Sequence, residues 1–333
     1  MKQINIGMIG CGDIAHSHLA ALSKIRQARV AGYVDLRQEA ATAFLEQYGG
    51  SMASTDADAL FDDPSIDCVH ICTRHDSHAD LAVRALHAGK HVMLEKPVAL
   101  SLAECRRILE AEQRAGSLLM MGFKLRFYPL IQKAKRFIGK PSMVTVQIAD
   151  NRWSDRSWAQ DPVQGGGNLL AQGCHATDLL CYLSGGRPET IYSMASNHTH
   201  PESPHPDHCI ASIRFSNGAL GSWVQGDSSV AGLTGKFLIQ LFSESGKSVQ
   251  IYDRGRKAFF VDGKQRWLEE MATEEGFLRE NQAFIEAILE NRPAPVSLEE
   301  GILALQLVLG AIESARMGQP MEIHSFSQPI IST

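Results

Sequence analysis

The chain has 333 residues, 44% of them hydrophobic and 21% charged, with a formal net charge of −5 at pH 7. That is long for a single core and too apolar for a disordered segment, so two globular domains are expected. Lysine and arginine are scattered rather than gathered, which argues against a nucleic-acid partner, and no apolar run approaches the ~20 residues of a membrane span. Cysteines 11, 68, 72, 105, 174, 181 and 209 form no C-x-x-C pair and lie mostly in apolar stretches, as reduced thiols do. With a strand starting at Ile4 and no leader pattern ahead of it, a soluble cytoplasmic protein is expected.

The first predicted strand, Ile4–Ile9, runs into Gly10-Cys11-Gly12-Asp13-Ile14-Ala15, and a helical pattern follows over His16–Ile25. Strand Val30–Val34 ends in Asp35, and helix Arg37–Tyr48 is closed by Gly49-Gly50. Strand Cys68–Thr73, helix His78–Ala88 and a strand delivering Lys96-Pro97 come next. Ser101-Leu102-Ala103-Glu104 is a capping box opening another helix, and Leu118–Met121 is the next strand. Such alternation predicts a doubly wound parallel sheet over residues 1–121.

From 122 to 333 the texture changes to an α+β domain on a large, mostly antiparallel open sheet. After a helix over Pro129–Ile138, strands are predicted at Met143–Ala149, Thr190–Ser196, Cys209–Phe215, Ala219–Val224, Phe237–Ser243, Val249–Tyr252 and Ala258–Val261. Asn217-Gly218 and Asp262-Gly263 signal hairpins. Helices near 168–183, 277–290 and 298–316, the last with capping box Ser297–Glu300, are expected to cover one face of the sheet.

The glycine loop follows a strand and opens a helix, with an acidic residue ending the next strand, which is the context of a dinucleotide site. Gly10 allows the turn, Gly12 lets the backbone approach a pyrophosphate, and Ala15 keeps helix and sheet close. Asp35 would accept ribose hydroxyls and repel a 2′-phosphate, favouring NAD. Arg37 nearby keeps NADP open.

Gly10-x-Gly12-x-x-Ala15, Ala85-Leu86-His87-Ala88-Gly89-Lys90-His91-Val92 and Glu95-Lys96-Pro97 together resemble the glucose-fructose oxidoreductase/inositol dehydrogenase/MocA family. The likeness continues through Gly122–Pro129, Gly165-Gly166-Gly167 and Gly173–Asp178, and so covers nearly the whole chain. It implies an NAD(P)-dependent dehydrogenase or reductase of sugars, inositols or related polyols. It also implies a Rossmann domain, a substrate domain whose outer sheet face builds a homodimer or homotetramer, and a cis Lys96-Pro97 bond. The cofactor set on this view is Gly10, Gly12, Asp13, Ile14, Ala15, Asp35, Thr73, His78, Glu95 and Lys96.

Oxidising a secondary alcohol needs a group that takes the hydroxyl proton, and a desolvated lysine can serve. Lys96 is the candidate, with His175 as its partner. Many relatives carry an aspartate four residues before this histidine, but here that position is Ala171. Asp178, three residues beyond, could orient His175 instead, and Gln172 could bind a sugar hydroxyl. Arg74-His75 stands where relatives often have Pro-Asn.

Arg152, Trp153, Arg156, Trp158 and Gln160 have the composition of a sugar-binding loop, although a packing loop would look the same. Arg126 is a further substrate candidate, with a salt bridge as the alternative. His198, His200, His205, Asp207 and His208 crowd a Pro-rich segment, but the cofactor chemistry needs no metal, and none is assigned. Beside the dehydrogenase stand a redox-neutral lyase or glycosidase and a non-enzymatic NAD-binding regulator.

Overall fold

A computed structural model describes residues 2–229, 233, 235–273 and 275–326. The chain forms two compact units, Met1–Lys124 with Gly276–Gly301, and Leu125–Glu275 with Ile302–Thr333. The last residues of the second domain expected from sequence, 327–333, lie outside the described residues.

The first unit alternates β1 (Ile4–Ile9), α1 (Asp13–Leu22), β2 (Ala28–Val34), α2 (Gln38–Tyr48), β3 (Met52–Ser54), α3 (Asp58–Phe61) and β4 (Cys68–Ile71). It continues with α4 (His78–His87), β5 (His91–Glu95), α5 (Leu102–Arg114) and β6 (Leu119–Gly122). All six strands are parallel, in the order β3-β2-β1-β4-β5-β6. The inner strands are apolar on both faces because helices cover both, and Ile4, Ile6, Met8, Ile71, Val92, Met93 and Leu94 are buried. Strand order reverses between β1 and β4, which places a crevice at the ends of those strands. The α5 capping box forms as expected.

The second unit contains α6 (Pro129–Ile138), β7 (Pro141–Ala149), α7 (Gly167–Ser184), β8 (Pro188–Ser196), β9 (His208–Phe215) and β10 (Leu220–Gly226). Then come β11 (Phe237–Ser243), β12 (Lys247–Tyr252), β13 (Lys257–Asp262) and β14 (Gln265–Glu270). Helices α8 (Gly276–Leu289) and α9 (Leu298–Met317) and strand β15 (Met321–Glu322) are the last elements among the described residues. Nine strands line up as β14-β13-β12-β11-β7-β10-β9-β8-β15, antiparallel except for the β7–β10 pair. Both hairpin signals turn where expected, joining β9 to β10 and β13 to β14. Strand β14 itself has no apolar pattern to betray it: it is a polar, half-exposed edge.

α7 approaches β10 so closely that a Cβ on Gly173 would sit 2.6 Å from the Trp223 ring. α9 is tied to α7 and β8 by Thr177 Oγ1 donating to Ala304 O at 2.9 Å and Ser193 Oγ to Ala311 O at 2.5 Å. Helix α8 departs from expectation. It belongs to the first unit and packs on α1 instead of covering the second sheet. Its amphipathic pattern states that one face is buried, not against what. Among the described residues no helix is long and apolar enough to cross a membrane, and all seven cysteines are free.

Candidate active site

Gly10 turns the chain out of β1 with φ +92°, and a Cβ there would lie 2.7 Å from the Cys72 carbonyl. Glycine is therefore what lets the end of β1 lie beside the end of β4 and Thr73. Gly12 is different. It is the exposed N-cap of α1, no side chain caps that helix, and a Cβ would meet nothing within 4 Å. The N–H groups of the first turn, Asp13, Ile14 and Ala15, thus form an open, positive helix end suited to a pyrophosphate. Ala15 is fully buried against the sheet, as expected. Asp35 Oδ2 accepts from Cys11 N and Oδ1 from Arg37 N, both at 2.9 Å, while Arg37 Nε lies 3.5 Å from the carboxylate. Burial, and then the Asp35 charge, push the Cys11 thiol up to about 12, so it stays neutral. A small, uncapped turn with a fixed carboxylate at its flank fits a dinucleotide.

Lys96 follows the last residue of β5, is half-buried, and precedes Pro97 through a cis bond, as the resemblance implied. Beneath it runs a buried chain of hydrogen bonds that sequence reasoning missed. Lys96 N donates to Glu95 Oε2 at 3.1 Å, and Glu95 Oε1 is 3.0 Å from His18 Nε2. Asn281 Nδ2 lies 2.9 Å from His18 Nδ1, and Asn281 Oδ1 is 2.8 Å from His70 Nε2. An ionised Glu95 assigns the protons in one direction: His70 donates to Asn281, Asn281 to His18, and His18 to Glu95. Burial would raise the Glu95 carboxyl, but the His18 hydrogen bond and the Lys96 and Lys124 charges carry it below its usual range. Burial, with the nearby His18, drives His70 down to about 3, so this ring is neutral.

Glu95 and His78 were expected on the cofactor surface, and the structure moves both inside. Glu95 is 6% exposed, and His78 is fully buried with Nδ1 2.8 Å from Pro97 O and Nε2 3.2 Å from Thr73 O. His78 braces the ends of β4 and β5 against each other. Thr73 stays half-exposed at the crevice, its hydroxyl accepting from Ser77 at 2.7 Å.

In the second unit, Gly166 and Gly167, both at positive φ, bring the chain into α7, which carries Ala171, Gln172 and His175. His175 and Ala171 are buried and Gln172 half-buried. The Asp178 carboxylate takes the Arg126 guanidinium, with Nε at 2.9 and 3.0 Å and Nη2 at 2.6 Å from its oxygens. Arg126 is 5% exposed, and the salt bridge that sequence left as its alternative role is present, with a buried carboxylate holding the buried guanidinium. Trp158 is exposed and Trp153 half-exposed, with Trp153 Nε1 donating to Asp150 at 3.1 Å. Arg152 pairs with both Asp155 oxygens at 2.8 and 2.9 Å and bonds Thr199 O at 3.2 Å, so it orders the loop.

The histidine-rich segment folds around Asp207, which accepts the backbone N–H groups of His198, Thr199 and His200 at 2.7 to 3.1 Å and the His208 ring at 2.5 Å. Asp227, which sequence reasoning passed over, joins it, and Asp207, His208 and Asp227 offer ligand atoms within 4.8 Å of one another. The Asp207 oxygens are already engaged by hydrogen-bond donors, so the group is a hydrogen-bonded hub.

Fold and turn define a dinucleotide-binding oxidoreductase architecture. Residues 4–123 match the model described as "Oxidoreductase family, NAD-binding Rossmann fold", and 134–323 that of its C-terminal alpha/beta domain. The chain belongs to this family, the glucose-fructose oxidoreductase/inositol dehydrogenase/MocA oxidoreductases, and its first unit is an NAD-binding Rossmann fold. It is 27% identical over 334 residues to myo-inositol 2-dehydrogenase of Thermotoga maritima, covering 93% of this chain and 96% of that one. The fold also matches an oxidoreductase domain protein from Kribbella flavida, with TM-score 0.89, 23% identity and coverage of 97% and 100%. Levoglucosan dehydrogenase in complex with NADH and L-sorbose matches with TM-score 0.89, 21% identity and coverage of 98% and 100%.

Proposed function

We propose that the protein moves a hydride between NAD and a secondary hydroxyl of a sugar, inositol or related cyclic polyol, with Lys96 as acid and base. The observation that carries this reading is the support under Lys96: a half-buried lysine whose backbone is pinned to Glu95, itself pinned to His18. Pre-set geometry of this kind is what proton transfer requires. A bound nicotinamide supplies the hydride acceptor. In oxidation Lys96 Nζ takes the hydroxyl proton; in reduction it returns it to the forming alkoxide. His175 and Gln172 hold substrate hydroxyls, and the faces of Trp153 and Trp158 receive the C–H surface of the ring. Asp35 sets the preference for NAD, because a 2′-phosphate would meet its carboxylate.

The outer sheet face supports self-association into a dimer or tetramer. Met194, Ile210 and Val224 are directly paired across β8, β9 and β10 and are 68%, 64% and 36% exposed.

The test is NADH formation by the purified protein with NAD or NADP against inositols, aldoses, anhydrosugars and uronates. A reactive compound identifies the substrate, and Lys96→Met should then lower turnover about a thousandfold while NAD affinity holds. Near-normal turnover by that variant would remove Lys96 from the chemistry. Product without net NADH would favour the redox-neutral lyase, and tight NAD binding with no reaction the regulator.

A further inference from the structure

His200 sits in the β8–β9 connection with its side chain 6% exposed, between a wholly buried carboxylate and a solvent-facing one. Its Nε2 is 3.0 Å from Asp227 Oδ2, and its Nδ1 is 2.8 Å from Asp155 Oδ1. Each ring nitrogen thus faces a carboxylate oxygen. Arg152 continues the line outward on Asp155, so a chain of polar contacts runs from Asp227 at the end of β10 to the loop surface. The Gln160 amide lies 2.8 Å from the same Nε2. The Gln160 side-chain oxygen is also 3.6 Å from where a Cβ on Gly167, the first residue of α7, would stand. One imidazole therefore touches both limbs of the 150–166 loop, the strand ends and a residue packed on the helix carrying Gln172 and His175.

We infer that His200 is a positioning residue for substrate recognition: clamped between Asp227 and Asp155, it holds the Trp153–Gln160 loop in its ligand-accepting shape. The inference rests on the reading of this loop as the sugar-facing element. It reassigns the histidine-rich segment from a metal-ligand pattern to a loop fastener. Thr199 strengthens the inner end, since its hydroxyl meets the Asp227 carboxylate and lies 2.9 Å from Asp207. Among the described residues Asp227 is held by Thr199 and His200, so the buried carboxylate depends on the ring.

The experiment compares wild type, His200→Phe and Asp155→Asn by hydrogen–deuterium exchange and by kinetics. Exchange in peptides spanning 150–166 should rise about tenfold in His200→Phe, with the first unit unchanged. Asp155→Asn, altering an exposed side chain, keeps the fold and should give a smaller rise in the same peptides. With whichever compound wild type oxidises, His200→Phe should raise its KM about tenfold, leaving kcat and the KM of NAD within about twofold. Unchanged exchange at 150–166 in both variants overturns the clamp, as does an equal rise in KM for substrate and NAD. Tight, stoichiometric zinc in wild type that disappears in Asp227→Asn would also overturn it, in favour of a metal-held loop. If no compound is oxidised, the dehydrogenase reading fails while the exchange result still judges the clamp.

Discussion

The molecule carries two polar clusters built on opposite principles. In the first unit, Glu95, His18, Asn281 and His70 are buried, and their hydrogen bonds lead to a single carboxylate. In the second, Asp227, His200, Asp155 and Arg152 are linked in a line that climbs from a wholly buried residue to exposed ones. The sealed arrangement suits a group that must not move, since its buried members bond one another directly. The graded arrangement suits a loop that opens to a ligand, because its outer links trade with solvent at little cost.

The sharpest way to break the comparison is to remove one member of the sealed cluster. His18→Ala leaves the Glu95 carboxylate buried without its principal donor, and a loss of about 3–5 kcal/mol is expected in denaturant titration. A loss no larger than for an average surface substitution would show that water replaces the ring and that the cluster is not sealed.

Acid should then separate the clusters. His70 takes up its proton near 6.5 when unfolded but only at about 3 when folded. Between those values the unfolded chain binds more protons, so stability falls as pH falls and is flat above the window. From pH 6.5 to 5 this amounts to about 2 kcal/mol, and His70→Gln should remove that part of the slope. Glu95 acts in the same direction further down. Its folded value lies below the unfolded one, so its contribution is lost as pH falls through the acid carboxylate range.

The smallest effect belongs to the outer link. Asp155 is held below its usual range by the Arg152 and then the His200 hydrogen bond, yet it faces solvent. Asp155→Asn should leave the melting temperature where it was. A marked drop would mean that the graded cluster carries global stability and is not a loop fastener.

How much of this was legible follows from sequence distance. The parallel sheet, the glycine turn, Asp35 and the Lys96 strand end were readable because each is a local pattern of period, turn residue or motif. The hairpins at Asn217-Gly218 and Asp262-Gly263 were local too, whereas β14 carried no apolar alternation. Pairings were another matter. Asp178 was legible as a possible support of His175 because both lie on one helical face, but its pairing with Arg126, 52 residues earlier, was not. Nothing local tells a buried carboxylate which buried cation it will meet. His70, a histidine inside an apolar strand, was the one visible hint of the sealed cluster. Its partner stands 211 residues away.

That separation has a consequence for synthesis. Asn281 donates to His18 and accepts from His70, yet it lies on α8, far beyond the last strand of the parallel sheet. A nascent chain that has emerged only through residue 124 presents two imidazoles and a carboxylate in its core with the central amide still unmade. A gene fragment ending at 124 therefore lacks the amide that joins His18 to His70 in that core.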